Sequence, residues 1–565
     1  MPILIYPSGS PDHQGGLDRV PRKSRSGAVI ITWLMSCFIL LLSCSSGPAP
    51  EVKNIPLSLL RDKIAGGWAG KMIGVTYGAP TEFRAQGTTY EDSILWKPDD
   101  IRGALWQDDI YVQLTFLMTM DRYGMEAPAK RYQELLAKAG YPLWHANVQS
   151  RKNYFDSIFP PESGHPDNNL HADDIDFQIE ADYIGFICPG MPETANRLAG
   201  ITGQVMNYGD GLYGGAFVAA LYAEAFFSGD IPAIIDKALL SIPAESDYAK
   251  IVRDVVLLHR HFPEDWRAAW QELQNKWGSV QICEAGTSFN IDAKLNGAYI
   301  VMGLLYGEGD PLKTMEISTR CGQDSDCNPS NAMAVLGLIR GFSGLPAPWQ
   351  EAINALGDSL FIHTDYSFRK AVDKSMDYAT QLAVTHGGKI SGEYLAIPAE
   401  EPKPLPYADS FPRLLFDKRI PVSAREYWSS GGSWESSGLA NAHAAESPKG
   451  NALFSGHAGD KLTFTFDGTG VSLVGHWLKD GGKADIFVDG EFKRTIDCYF
   501  NYAGQQHLNM DLYHITGLEK GEHTLQLVVR GEKRPESEGT RVYVTEAVVF
   551  LTGDKRSENT RFSFQ

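Results

Sequence analysis

Two textures share this chain, and the break between them limits what it can fold into. Up to about residue 390, apolar residues recur every three or four positions, as in IPLSLLRDKIAGGWAGKMIG from Ile55 and DDIYVQLTFLMTMDRYG from Asp108. AFVAALYAEAFF (216–227), LNGAYIVMGLLYG (295–307) and NAMAVLGLIRGF (331–342) are apolar nearly all round, which places them at the centre of a sizeable helical domain. IPAEEPKPLPYADSFP (397–412) then brings the proline and acid of a linker. Beyond it KLTFTF (461–466), VSLVGHW (471–477), KADIFVDG (483–490), HTLQLVVRG (523–531) and RVYVTEAVVFL (541–551) alternate like half-buried strands, with turns at 489–490 and 519–523. The expected architecture is therefore multidomain α and β: an all-α domain over 52–395, a linker over 396–414 and an antiparallel β-sandwich over 415–553.

Composition permits both cores, since 43% of the 565 residues are apolar and 21% charged. A net charge of −18 argues against a nucleic-acid polymer as partner, because phosphate neutralisation needs a basic face. At the N-terminus, basic RKSRSG (22–27) precedes apolar AVIITWLMSCFILLLS (28–43), too short for the ~20 residues of a spanning helix. LLSC followed by SSGPAP resembles a bacterial lipobox. Residues 1–43 are expected to be a lipoprotein signal peptide, with Cys44 lipidated and the protein anchored in the cell envelope, periplasmic or surface-exposed. A plain membrane anchor is the alternative. The five cysteines outside this segment, Cys188, Cys283, Cys321, Cys327 and Cys498, are too sparse for a disulfide framework. Cys321 and Cys327 are placed to pair across the loop between them, and no Cys/His zinc spacing occurs.

Four stretches hold more Gly, Asp and Glu than helix joints require. GKMIGVTYGAPTEF (70–83) ends a helix near Glu82, and WQDDI (106–110) starts one with Asp108 and Asp109. NYGDGLYGG (207–215) and CGQDSDCNPSNA (321–332), with Asp324 and Asp326, each precede a buried helix. An adjacent acidic pair alone reads as helix capping. Two carboxylates at one helix entrance still need a positive partner, and the helix end supplies only about half a charge. Two such pairs can converge at one end of a bundle, and an oxygen-rich site of that kind suits Mg²⁺ or a similar hard ion. DSDCN is not an EF-hand, because Pro329 stands where the turn glycine belongs and Val335 where the bidentate glutamate belongs. DDID (173–176), with Glu180 and Asp182, reads either as a solvated acidic face or as a substrate-lining segment.

These blocks, in this order over residues 58 to about 345, resemble the ADP-ribosylglycohydrolase superfamily. GVTYGAPTEF is similar to the family's GDALGAPVE block, WQDDI to its W-T-D-D-T block, and GQDSDCN to G-G-D-T-D-T-N. The resemblance implies an all-α catalytic domain with one or two Mg²⁺ ions. It also implies metal ligands at Asp108, Asp109, Asp324 and Asp326, and a glutamate match at Glu82, which we take as the proton-transfer residue. It further implies ribose contact at the glycine loop, by Asn207, Gly209, Asp210, Gly211, Tyr213 and Gly214. Departures accompany the match: Gln107 and Cys327 replace the threonine ligands, and Val75 replaces an aspartate. A thiol is a poor ligand for a hard cation. The sandwich resembles galactose-binding-like modules, and Tyr427, Trp428, Trp434, Trp477, Tyr499 and Tyr502 are either sugar-stacking or packing residues. The expected function is hydrolysis of a ribosyl or other furanosyl bond in a sugar-containing substrate. A non-catalytic glycan-binding lipoprotein and an ADP-ribosyl hydrolase are the alternatives.

Overall fold

The computed structural model describes residues 51–439 and 452–553. The signal segment 1–43 and Cys44 lie outside the described residues, among which no helix is long and apolar enough to cross a membrane. Residues from Leu57 to Thr385 form a helical body, and Gly209–Ala225, Ala293–Gly307 and Cys327–Arg340 are its buried centre.

One contact organises that body. The helix Leu57–Gly78 carries Gly66, Gly70, Gly74 and Gly78 four residues apart, hence on one face. That face lies against Cys327–Arg340 and the loop before it. A Cβ on Gly66 would stand 2.1 Å from the Gly337 carbonyl oxygen, and one on Gly70 2.4 Å from that of Met333. On Gly74 it would meet the Pro329 carbonyl at 2.3 Å, and on Gly78 that of Ser325 at 1.9 Å. Backbone thus touches backbone along the whole contact. This carries the 324–326 loop onto the end of the first helix, where Glu82 follows.

The entry and exit of the helical body are tied together by a small antiparallel sheet, in which Val52–Pro56 pairs with Tyr394–Pro398 and the latter with Lys389–Ser391. The segment expected as a linker from 396 therefore begins inside a strand. Its continuation is strapped down. Glu400 accepts from the Thr194 N–H and hydroxyl at 2.7 and 2.6 Å, Asn196 Nδ2 donates to the Lys403 carbonyl at 2.6 Å, and the Tyr213 hydroxyl donates to the Pro406 carbonyl at 2.7 Å. Cys321 and Cys327 are free thiols, which corrects the expected pairing. The Cys327 thiol is turned towards Asp109 Oδ2, 3.2 Å away.

The β-part is an antiparallel sandwich. One sheet has the order Glu491–Asp497, Lys483–Val488, Gly521–Val529, Lys461–Gly468, Trp428–Gly431. The other runs His507–Ile515, Gly470–Trp477, Val542–Thr552, Ala452–Ser455, Glu435–Ser437, with Leu414–Pro421 also paired to Val542–Thr552. Asp489 and Gly490 both take positive φ, 53° and 78°, as a two-residue hairpin turn requires. Of the aromatic candidates, Trp428 packs at a tilt against Phe464, ring centres 4.5 Å apart, in the core, Trp477 is buried, and Tyr502 packs on Phe155 of the helical body. Val474, Val548 and Phe550 of the second sheet share one apolar cluster with Leu170, Ala172, Ile282 and Ala285 of the helical body. The two parts form one compact unit.

Candidate metal and acid–base site

The acidic residues singled out from distant segments do meet. One oxygen each from Glu82, Asp324 and Asp326 lies within 4.8 Å of the others, and Asp109, Asp326 and the Cys327 thiol form a second such group that shares Asp326. Asp108 and Asp109 open the helix Asp108–Tyr123 and Asp326 caps Cys327–Arg340, its side chain accepting the Cys327 N–H at 2.9 Å. Glu82 ends the short 3₁₀ turn Ala79–Thr81. Thr81 holds that turn to the aspartate loop through a 2.7 Å hydroxyl contact with Ser325.

Crowding raises the acids. Desolvation, then the Asp326, Asp108 and Asp109 charges, push Glu82 up to about 9, although solvent reaches much of its side chain. Asp108 is lifted to about 6 by burial and by Asp109. Burial takes Asp324 to about 7 and, with the Asp324 charge, drives Asp326 well above its usual value. Asp324 Oδ1 is buried and accepts no hydrogen bond. A buried carboxylate oxygen without a donor, beside two further carboxylates, fits a hard cation.

The second group fits one less well. Its thiol is held protonated by burial and by the Asp109 charge, and its neighbourhood already holds a positive group. Lys71, fully buried, places its ammonium 2.9 Å from Asp182 Oδ2 and 3.5 Å from Asp109 Oδ1. Burial alone would lower Lys71, but Asp182 and Asp109 outweigh it and leave the ammonium raised. Sequence reasoning missed Lys71, since one lysine in an apolar helix carries no signal. Val75, on the same helix, is buried core. Gln107 is the N-cap, its carbonyl accepting from the Ile110 and Tyr111 N–H groups at 3.1 and 3.2 Å.

The glycine loop is engaged by protein. Asn207 Nδ2 donates to the Ala172 and Asp174 carbonyls at 2.9 and 2.8 Å, and its Oδ1 accepts the Phe177 N–H at 3.0 Å. A Cβ on Gly209 would meet Ser410 of the strap at 2.4 Å, one on Gly211 the Ala172 carbonyl at 2.3 Å, and one on Gly214 the Gln178 amide oxygen at 2.8 Å. Asp210 accepts the Tyr248 N–H at 3.0 Å, and Tyr213 accepts the Ala408 N–H of the strap at 2.6 Å.

DDID is not a solvated face, because Asp173, Asp174 and Asp176 are all buried. Asp173 faces Lys294 at 3.3 Å. Asp176 accepts the Ala146 and Asn147 N–H groups at 3.2 and 3.0 Å at the start of the helix His145–Phe155. Further along, Glu180 accepts from Asn147 Nδ2 at 2.5 Å, and Asp182 is the partner of Lys71.

Known proteins bear on the site at the level of family. Residues 56–382 match the family model described as ADP-ribosylglycohydrolase. Over 97 residues, 17% of this chain, the sequence is 37% identical to an A type blood alpha-D-galactosamine galactosaminidase of Flavonifractor plautii, and spans 8% of that protein's length. Among solved structures, an ADP-ribosylglycohydrolase-related protein complex is 14% identical with a TM-score of 0.40, covering 57% of this chain and 98% of its own. The CBM36-1 domain of a multidomain xylanase from the hindgut metagenome of Trinervitermes trinervoides is 16% identical with a TM-score of 0.17, covering 24% of this chain and 98% of its own. The family match spans more than half of the sequence and contains Glu82, Asp108, Asp109, Asp324 and Asp326; the chain belongs to the ADP-ribosylglycohydrolase family.

Proposed function

We propose that the protein is a glycoside hydrolase that cleaves a ribosyl or other furanosyl bond, with Glu82 moving the proton and Asp324 and Asp326 holding one Mg²⁺ ion beside Asp108 and Asp109. The observation that carries this reading is the convergence of Glu82 with Asp324 and Asp326, within 4.8 Å, at the close backbone contact between the first helix and the aspartate loop. Mg²⁺ held there would supply Lewis-acid polarisation of sugar oxygens and charge compensation. Residues for a second hard ion fit poorly, since Cys327 offers a thiol and Lys71 already neutralises part of the charge on Asp109.

Glu82 combines reach to solvent with a carboxyl raised to about 9, so it keeps its proton at neutral pH. That proton is what a leaving glycosidic oxygen needs as the oxocarbenium-like state develops. With a cation among the aspartates their repulsion would be offset and the Glu82 pKa would fall from its raised value, so that the ionised carboxylate could also accept a proton from water. In this proposal the glycine loop from Asn207 to Gly214 acts mainly by holding residues 172–177 in place. Direct substrate contact there would need the strap at 405–411 to lift.

The protein acts, in this reading, lipid-anchored through Cys44 in the cell envelope, on a sugar-containing substrate met outside the cytoplasm. A non-catalytic glycan-binding role draws on the Cys327 thiol in the carboxylate cluster and is the competing reading. Both are tested on a panel of furanosides, nucleotide-ribosides and ADP-ribosyl compounds, with Mg²⁺ or with chelator. Metal-dependent sugar release is expected, falling by about 10²–10⁴-fold in Glu82→Gln with an unchanged circular dichroism spectrum and metal content. Full activity in that variant removes Glu82 from the scheme. No release from any member favours the binding role.

A further inference from the structure

Away from the acidic cluster, four side chains of a different chemistry meet at the boundary between the helical body and the sandwich. His145 begins the helix His145–Phe155, His171 and Asp174 lie in the loop before the 176–180 turn, and Cys283 lies in the loop that precedes Ala293–Gly307. One ligand atom from each lies within 4.8 Å of all the others. Asp174 Oδ2 is 2.7 Å from His171 Nδ1 and 3.7 Å from His145 Nδ1, and Cys283 Sγ is 2.9 Å from that same His171 nitrogen. We propose that His145, His171, Asp174 and Cys283 form a second metal site, built for a borderline ion of the Zn²⁺ class.

The donor set selects the ion. Two imidazoles, a thiol and one carboxylate suit Zn²⁺ and exclude Mg²⁺ or Ca²⁺ as resident ions. Bond lengths of ~2.0–2.3 Å in a tetrahedral shell put neighbouring ligand atoms about 3.4 Å apart. The observed spacings, from 2.7 to at most 4.8 Å, bracket that value, so capture needs side-chain shifts of about 1 Å or less. The same geometry argues against a cysteine nucleophile. In a Cys–His–Asp relay the thiol and the acid use opposite ring nitrogens, whereas here both converge on Nδ1 of His171. Burial and the Asp174 charge also hold the Cys283 thiol protonated, and Asp174 raises His171 against its burial; Zn²⁺ binding would release the thiol proton and any imidazolium proton of His171 to solvent and keep the thiolate.

The surroundings are stiff. Asn169 Oδ1 accepts the His171 N–H at 3.0 Å, and the Asp174 carbonyl accepts from Asn207 at 2.8 Å. Phe289 separates this cluster from the acidic one, stacking on His145 at 5.8 Å and meeting Phe83, the neighbour of Glu82, edge-on at 4.9 Å. His145, His171 and Cys283 line a cavity of about 670 Å³ whose other wall includes His507, Asp511 and Glu546 of the sandwich. Four protein ligands describe a closed, structural site, and this one would cross-link three separate segments on the helical side of that cavity.

The test is metal analysis of the full protein after zinc loading and desalting, together with the absorption spectrum of the cobalt-substituted form. About one equivalent of zinc is expected in the wild type and in Asp324→Asn/Asp326→Asn. Loss of at least 10-fold in zinc affinity is expected in Cys283→Ser and in His171→Ala. Cobalt should give tetrahedral d–d bands and a thiolate charge-transfer band that Cys283→Ser lacks. As a readout needing no variant, zinc should protect Cys283 from alkylation in the wild type, mapped by peptide mass. Zinc content unchanged in Cys283→Ser, no zinc retained by the wild type, or equal alkylation with and without zinc would each overturn the proposal.

Discussion

Asp109 and Asp182 put carboxylates where water does not reach, 0% exposed each, and Lys71 is the buried cation that faces both. Tyr222 and Asn331 add hydrogen bonds to Asp182 Oδ1 at 2.6 and 3.2 Å, so the pair is solvated by protein. Removing one member of a buried pair leaves the other charge uncompensated, which typically costs about 3–5 kcal/mol. Lys71→Met should therefore lower the urea midpoint strongly, and Lys71→Met/Asp182→Asn should recover part of the loss. Wild-type stability in Lys71→Met would contradict this account of the charge balance. The acids around the site were legible because each stands at a Gly- or Asp-marked helix joint. Lys71 was not, because its partners are far along the chain. His145, His171, Asp174 and Cys283 stayed hidden for the same reason: their spacing matches no local metal pattern, and only the fold brings them together.

Among the elements, the glycine face of Leu57–Gly78 positions the site, since it sets how closely the aspartate loop approaches Glu82. A side chain at Gly74 must displace backbone, the Pro329 carbonyl lying 2.3 Å from a built Cβ. Overpacking of this kind costs about 1–3 kcal/mol. Gly74→Ala should destabilise by that amount or more in urea titrations, whereas Gly103→Ala, whose Cβ would meet only the Thr76 methyl at 3.4 Å, should be near neutral. Equal effects would show that close packing is not what the stripe supplies. The glycines were visible in the sequence, but their partner helix was not. The small sheet of Val52–Pro56, Lys389–Ser391 and Tyr394–Pro398 escaped notice because strands of three to five residues carry too little alternation to register. The proline- and acid-rich segment read as a free linker from composition alone, which is blind to the carbonyls and carboxylates it lends to Thr194, Asn196 and Tyr213.

For the whole molecule, the division into a helical body and a β-sandwich was plain from periodicity, but their fusion was not, because docking residues such as Val548 and Phe550 look like ordinary core. The junction also has a titrating contact. His514 bonds to Asp511 through Nδ1 and to the Pro166 carbonyl of the helical body through Nε2, both at 2.5 Å. Burial opposes its charge, but Asp511 outweighs burial and raises it above 6.5. A raised folded value means that its contribution is complete below about 6.5 and is lost as pH rises through the folded value. Melting temperature should decline over that interval, with a shallower decline in His514→Gln; identical slopes would remove His514 from the linkage. Mg²⁺ binding by the acidic cluster is measured by calorimetric titration of the full protein. Saturable binding is expected for the wild type and none for folded Asp324→Asn/Asp326→Asn. Unchanged affinity in that variant, or no binding by the wild type, would contradict it.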